Sequence, residues 1–159
     1  MMVFPLTRSR QIFSICLLSL FVTAAALADS PIAGVNTEHG LAIKGYDPVS
    51  YFTTGKATAG LPQFSTNYKG AAYRFVSADN RERFIAAPEK FVPQYGGYCA
   101  YAISLNKIAD IDPDQWAIVN NKLYLNNGFF AQSLWSLDKS GNIARGDQNW
   151  PLVPKLGNP

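Results

Sequence analysis

An α+β fold, two short β-hairpins with helices packed on them, is what this sequence predicts, on three observations. Two pairs of β-favouring segments flank short turns: residues 64–68 and 71–76 surround Lys69-Gly70, and residues 116–119 and 123–126 surround Asn120-Asn121. Gly and Asn tolerate the left-handed backbone of tight hairpin turns. Apolar residues also recur at helical spacing, at Phe84, Ile85, Pro88, Phe91 and Val92, and again at Phe130, Leu134 and Leu137. Finally, no linker, low-complexity tract or internal repeat divides the chain, so these elements are expected to share one core.

The first residues read as an export signal. Arg8 and Arg10 are followed by a largely apolar run over residues 12–26 and by the small-x-small site Ala26-Leu27-Ala28. That order is a secretory signal peptide, too short in its apolar part for the ~20 residues of a membrane helix. The expectation is cleavage after Ala28, a periplasmic or secreted mature chain of 131 residues, and no membrane span afterwards. Loss of the two arginines leaves 12 Lys and Arg against 11 Asp and Glu. Such a balance gives no basic patch for nucleic acid or an anionic membrane.

Residues 29–43 form an extended lead-in, with a short strand at Leu41, Ala42 and Ile43. Asp47-Pro48 opens a short helical turn through Phe52, which Gly55 ends, and the Asp47 carboxylate is placed to cap it. The first hairpin follows. Ser77 caps a helix that meets a second one at Ala87-Pro88, because proline starts a helix better than it continues one. Gly96-Gly97 is read as a turn with positive φ that sets Cys99 beside the first hairpin. Residues 98–105 are apolar without a clear period. After the second hairpin come a helix carrying Phe130, Leu134 and Leu137 and a last one carrying Ile143 and Trp150, stopped by Pro151.

Three ordered motifs carry a family resemblance: Tyr46-Asp47-Pro48-Val49-Ser50-Tyr51-Phe52, Tyr73-Arg74-Phe75-Val76-Ser77, and Phe84 with Ala87-Pro88-Glu89-Lys90-Phe91. Together they resemble the YHS domain. Later stretches, Tyr95-Gly96-Gly97-Tyr98-Cys99, Ile111-Asp112-Pro113, residues 122–126 and Asn149-Trp150-Pro151, resemble the exported bacterial members. On that resemblance residues 44–95 are the YHS-like core and residues 96–159 a C-terminal extension of the same domain. It implies a binding module concerned with metal. The metal-associated members carry thiols at positions that correspond here to Ser50, Val76 and Asn80, so the usual thiolate site is absent.

Cys99 is then the one cysteine of the mature chain and the main candidate ligand, with His39, the only histidine, and Asp47 beside it. So few donors cannot close a tetrahedral zinc site, and soft sulfur favours copper. The same residues allow other readings: a buried structural thiol, a cap at Asp47 and a surface imidazole. Tyr46, Tyr98 and Tyr101 are candidate contacts for a small ligand. Asp110, Asp112 and Asp114 lack the glycine and distal glutamate of a calcium loop and read as a solvated turn. No G-x-S-x-G elbow, H-x-x-H pair or phosphate-cradling glycine loop is present. The expected function is an exported module binding copper or a small molecule near Cys99. The alternatives are a redox or catalytic domain using that thiol, or an interaction domain without a ligand.

Overall fold

The chain already builds sheet at Thr37, ahead of the motif that begins at Tyr46. The computed structural model describes Met1 and residues 34–153; the expected export signal and its cleavage point at Ala28 lie outside the described residues. β1 (Thr37–Glu38) and β2 (Leu41–Ala42) form a tight hairpin, turned by His39 and Gly40 at positive φ. Ile43 is not strand, as the sequence suggested, but opens a 3-10 turn over Ile43–Gly45. α1 (Pro48–Thr53) follows, and then the first long hairpin, β3 (Leu61–Tyr68) and β4 (Ala71–Phe75). β2 pairs in parallel with β4, so the lead-in widens the hairpin into a four-stranded sheet ordered β1-β2-β4-β3. α2 (Ala78–Ala86) and α3 (Pro88–Phe91) meet at Ala87-Pro88 as expected.

A 3-10 turn at Gln94–Gly97 leads into α4 (Ala100–Ser104), β5 (Asp112–Val119), β6 (Lys122–Asn126), α5 (Gly128–Leu137) and α6 (Lys139–Asn149). β5 and β6 form a separate two-stranded sheet. The whole is α+β, and one core of buried side chains crosses between the hairpins, joining Tyr51, Phe75 and Phe84 to Cys99, Leu123 and Leu125. No helix among the described residues is long and apolar enough to cross a membrane.

The absence of a repeat expected from the sequence is corrected by the backbone. Residues 47–91 and 99–142 run through the same order: capped short helix, hairpin, helix, and a second helix start. β3 pairs with β4 from Leu61↔Phe75 to Ser65↔Arg74 across a bulge; β5 pairs with β6 from Asp112↔Asn126 to Trp116↔Leu125 across the same bulge, 51 residues later throughout. Phe84 and Trp135, also 51 apart, are both buried on the following helix, and each lies against a hairpin tyrosine. The Tyr73–Phe84 rings are 4.9 Å apart and tilted 32°; Tyr124–Trp135 are 5.3 Å apart and tilted 36°. Even the residue before the last helix repeats its unusual backbone: Ala87 at φ −152, ψ 65 and Asp138 at φ −143, ψ 68. Between residues 61–91 and 112–142 only Pro62/Pro113 and Tyr73/Tyr124 are identical, so the repeat is invisible to residue matching. Residues 99–142 thus repeat the element order of residues 47–91.

One expected packing face is also corrected. Phe130, Leu134 and Leu137 are exposed, and α5 buries Trp135 instead. Trp135 Nε1 finds no hydrogen-bond partner among the described residues, a penalty that phenylalanine at the sister position 84 does not carry.

Candidate functional site

Asp47 is wholly buried, and its carboxylate is fully engaged. Oδ1 accepts from the Val49 N–H at 2.8 Å and the Ser50 N–H at 3.3 Å, capping α1 as its place before Pro48 predicts. Oδ2 accepts from the Val76 N–H at 2.9 Å and the Asn80 amide at 2.7 Å. Ser50, Val76 and Asn80 are the three positions at which the sequence resemblance would look for thiols. Here their polar groups converge on one carboxylate that ties α1, the end of β4 and α2 together. Four hydrogen bonds leave that carboxylate little capacity for a metal.

Cys99 is buried and caps α4. Its Sγ accepts from the Ala102 N–H at 3.5 Å and the Asn127 N–H at 3.2 Å, and lies 3.6 Å from Asn126 Oδ1, to which the thiol donates. The Asn126 oxygen is fixed toward this site by the Tyr101 N–H at 2.9 Å, and its amide group by Gln132 at 2.8 Å. Cys99 is therefore beside β6 of the second hairpin, with a backbone bridge to Leu125, and it shares one buried cluster with Tyr73 and Phe75 of the first hairpin. The Gly96-Gly97 turn that places it does carry positive φ, at Tyr95, Gly96 and Gly97.

His39 stands exposed at the β1–β2 turn. The candidate ligands thus fall in three separate surroundings: a surface imidazole, a carboxylate among amide groups, and a thiol among backbone N–H groups. Among the described residues no group of three or more His, Cys, Asp or Glu is arranged to hold a metal. Nor is Asp110 a merely solvated turn residue. It receives Lys44 Nζ at 2.5 Å and the Asn36 amide at 3.0 Å, bracing the lead-in against the loop before β5. The Lys44 and Asn36 hydrogen bonds, outweighing burial in direction, hold its carboxyl below the usual range.

A concave site lies elsewhere, between the first unit and the end of α6. A cleft of about 310 Å³ is bordered by the β3–β4 turn, the chain from α3 to the 94–97 turn, the residues before β1, and the end of α6. Tyr73, Tyr95 and Trp150 supply rings; Lys69, Glu89 and Asp147 supply charge. Tyr95 and Trp150 have ring centroids 6.1 Å apart, and Tyr98 stacks at 6.2 Å behind Trp150. Tyr95 is held by a hydrogen bond from its hydroxyl to Asp147 Oδ1 at 2.9 Å, with the Ile143 carbonyl at 3.2 Å. Burial, then the Asp147 hydrogen bond, push the Tyr95 hydroxyl well above its ordinary pKa, so it stays protonated and donating. Two glycines make the geometry possible. A Cβ at Gly96 would stand 1.9 Å from the Gly34 carbonyl oxygen and 3.1 Å from the Trp150 ring. One at Gly146 would stand 2.6 Å from the Tyr95 hydroxyl.

On the rim, Glu89 accepts from Lys69 Nζ at 2.7 Å and from the Tyr68 hydroxyl. The hydrogen bonds from Lys69 and Tyr68 lower the Glu89 pKa, and Glu89 in turn raises that of Lys69. Of the three tyrosines expected to contact a ligand, Tyr98 sits next to the cleft through Trp150. Tyr46 and Tyr101 are half-buried against the core and do not line it. Trp150, Glu89, Lys69 and Asp147 were not foreseen as site residues. They come from distant segments, Lys69 and Trp150 at the extremes, and no local motif links them.

Compared with family models, curated proteins and solved structures, the chain matches none.

Proposed function

We propose that this chain is an exported YHS-like binding module that takes a small organic cation in the cleft between its first unit and the end of α6. The carrying observation is the convergence of Tyr73, Tyr95 and Trp150 with two carboxylates, Glu89 and Asp147, against a single lysine. Ring faces attract cations, most strongly where they are partly shielded from water, and the carboxylates add net negative charge. The volume of about 310 Å³ suits a compact molecule. The resemblance to exported YHS proteins supports export and a binding role. The convergence of Ser50, Val76 and Asn80 on Asp47 supports that resemblance, with a hydrogen-bonded carboxylate where those members hold thiols.

The test is titration with tetramethylammonium, read from the indole N–H resonance of Trp150 and the ring resonances of Tyr73 and Tyr95, the tyrosines being compared with those of Trp150→Ala. Saturable shifts in the wild type, lost in the variant, are expected. Unperturbed Trp150 at any concentration would remove the cleft. The copper reading is tested in the same protein by titration of wild type and Cys99→Ser with Cu(I). Saturable copper binding lost in Cys99→Ser would move the site to the buried thiol.

A further inference from the structure

α5 presents an apolar face that the fold itself does not require. Phe129, Phe130, Leu134 and Leu137 are 69%, 81%, 47% and 83% exposed, while Trp135 on the opposite side is 0% exposed. At about 100° per residue the four fall within an arc of about 140°. The Phe129 and Phe130 rings meet each other edge to face at 5.8 Å and cover nothing else in the core.

The sister helix supplies the control. The counterparts of Phe130 and Leu134, 51 residues earlier, are Asp79 and Arg83, joined by an exposed i,i+4 ion pair at 2.8 Å. The counterparts of Phe129 and Leu137 are Ala78 and Ala86. One helix position in one architecture is thus solvated in the first unit and greasy in the second. Folding is satisfied by either, so the apolar residues on α5 answer to something outside the unit.

We infer that α5 is the interface of a homodimer, in which two copies pair antiparallel through Phe129, Phe130, Leu134 and Leu137. Three features select a second copy as the occupant. The face is self-complementary end to end: two rings near the N-terminus and two leucines toward the C-terminus, so a two-fold axis sets rings against leucines. α5 contains no charged residue, so pairing buries no unpaired charge. The four side chains expose on the order of 450–500 Å² per copy. Two copies therefore bury on the order of 1,000 Å² from this patch alone, at the threshold of a specific weak interface. A lipid surface is the poorer match, because helices that lie on membranes carry Lys or Arg along their polar face and α5 has none.

The decisive experiment is sedimentation of the full chain and of the chain beginning at Asp29, over rising concentration. The comparison is Phe130→Asp/Leu134→Arg, which writes the sister helix's ion pair onto α5. A dimer with Kd on the order of 10–100 µM is expected. The double variant should associate at least about tenfold more weakly. It should melt like the wild type at low concentration, since the same pair is solvated on α2. Leu137→Asp serves as a second, independent disruption. A wild type that stays monomeric in both lengths to about 1 mM would overturn the proposal. So would a dimer that survives both variants, or monomers that float with neutral or anionic vesicles through this face. Dimerisation of the chain beginning at Asp29, weakened by both variants, supports the proposal even where the full chain stays monomeric.

Discussion

At residue 47 the buried cap is a carboxylate; at residue 99, in the same place of the second unit, it is a thiol. Both open a short helix, both accept from N–H groups of that helix, and both reach across to the N–H of the residue that follows a hairpin's second strand, Val76 in one unit and Asn127 in the other. The device is the same and the chemistry differs because the last neighbour differs. Asp47 faces the Asn80 amide, a donor; Cys99 faces the Asn126 oxygen, an acceptor. A carboxylate can only accept. A thiol can accept from two N–H groups and still give its own proton. Three hydrogen bonds thus account for the place of the buried Cys99 in the fold.

Removing the first cap should have the largest effect. Asp47→Ala orphans the Val49, Ser50 and Val76 N–H groups and the Asn80 amide at a buried site. Each such loss costs about 1–3 kcal/mol where water cannot enter, so a total of about 4 kcal/mol or more is expected. That is a large part of the 5–15 kcal/mol that holds a typical domain together. Urea melts measure it. A variant within 1 kcal/mol of the wild type would show that the network is ornamental.

The second cap gives a chemical signature. Cys99→Ser keeps a donor and two acceptors and should cost about 1 kcal/mol. Cys99→Asp, which copies the sister residue, sets a carboxylate against the Asn126 oxygen. It should cost about 3 kcal/mol despite the better cap. If aspartate proved as well tolerated as serine, the donor–acceptor account of why the units differ would be wrong. Neither variant is expected to abolish folding.

Gly146→Ala probes the cleft from α6. The new methyl would overlap the Tyr95 ring and hydroxyl, so the ring must leave its hydrogen bond with Asp147. Overpacking of this kind costs about 1–3 kcal/mol. The Tyr95 and Trp150 resonances should move together. A melting point and spectrum unchanged from the wild type would mean that the ring is not seated as described.

Hairpins, caps and the Ala87-Pro88 break were legible because turn residues, capping residues and proline act over two to four positions. The four-stranded sheet was not, because β1 and β2 together span four residues and gain their place only by pairing with β4. The repeat was hidden because a fold position demands a buried ring or a bulge, not a given residue: Phe84 and Trp135 meet the same demand. The stripe on α5 was legible as a stripe, yet periodicity cannot say whether an apolar face meets the core or another molecule. The cleft needed Tyr95 and Trp150, which only the tertiary fold brings within 6.1 Å.

Glu89 offers the smallest effect on stability and the sharpest test of what the first unit does alone. Its ion pair with Lys69 has no counterpart in the second unit, where the sister residues are Ser140 and Asn120. Both side chains are largely exposed, so the pair contributes less than about 0.5 kcal/mol and fades with salt. Its sign is fixed by the shifts. Hydrogen bonds from Lys69 and Tyr68 lower the Glu89 pKa, so the contribution is present above the ordinary carboxylate range and lost as pH falls through the lowered value. Lys69 is raised by Glu89, so the contribution is lost again only as pH rises through that raised value. Glu89→Gln should therefore leave the melting temperature within about 2 °C of wild type at pH 5 to 8. The same change removes one of two carboxylates from the cleft, and tetramethylammonium affinity should fall by roughly threefold or more. A fold that lost several kcal/mol with Glu89→Gln would mean that the pair belongs to the architecture. An unchanged affinity would mean that the charge on the rim is not there for a cation.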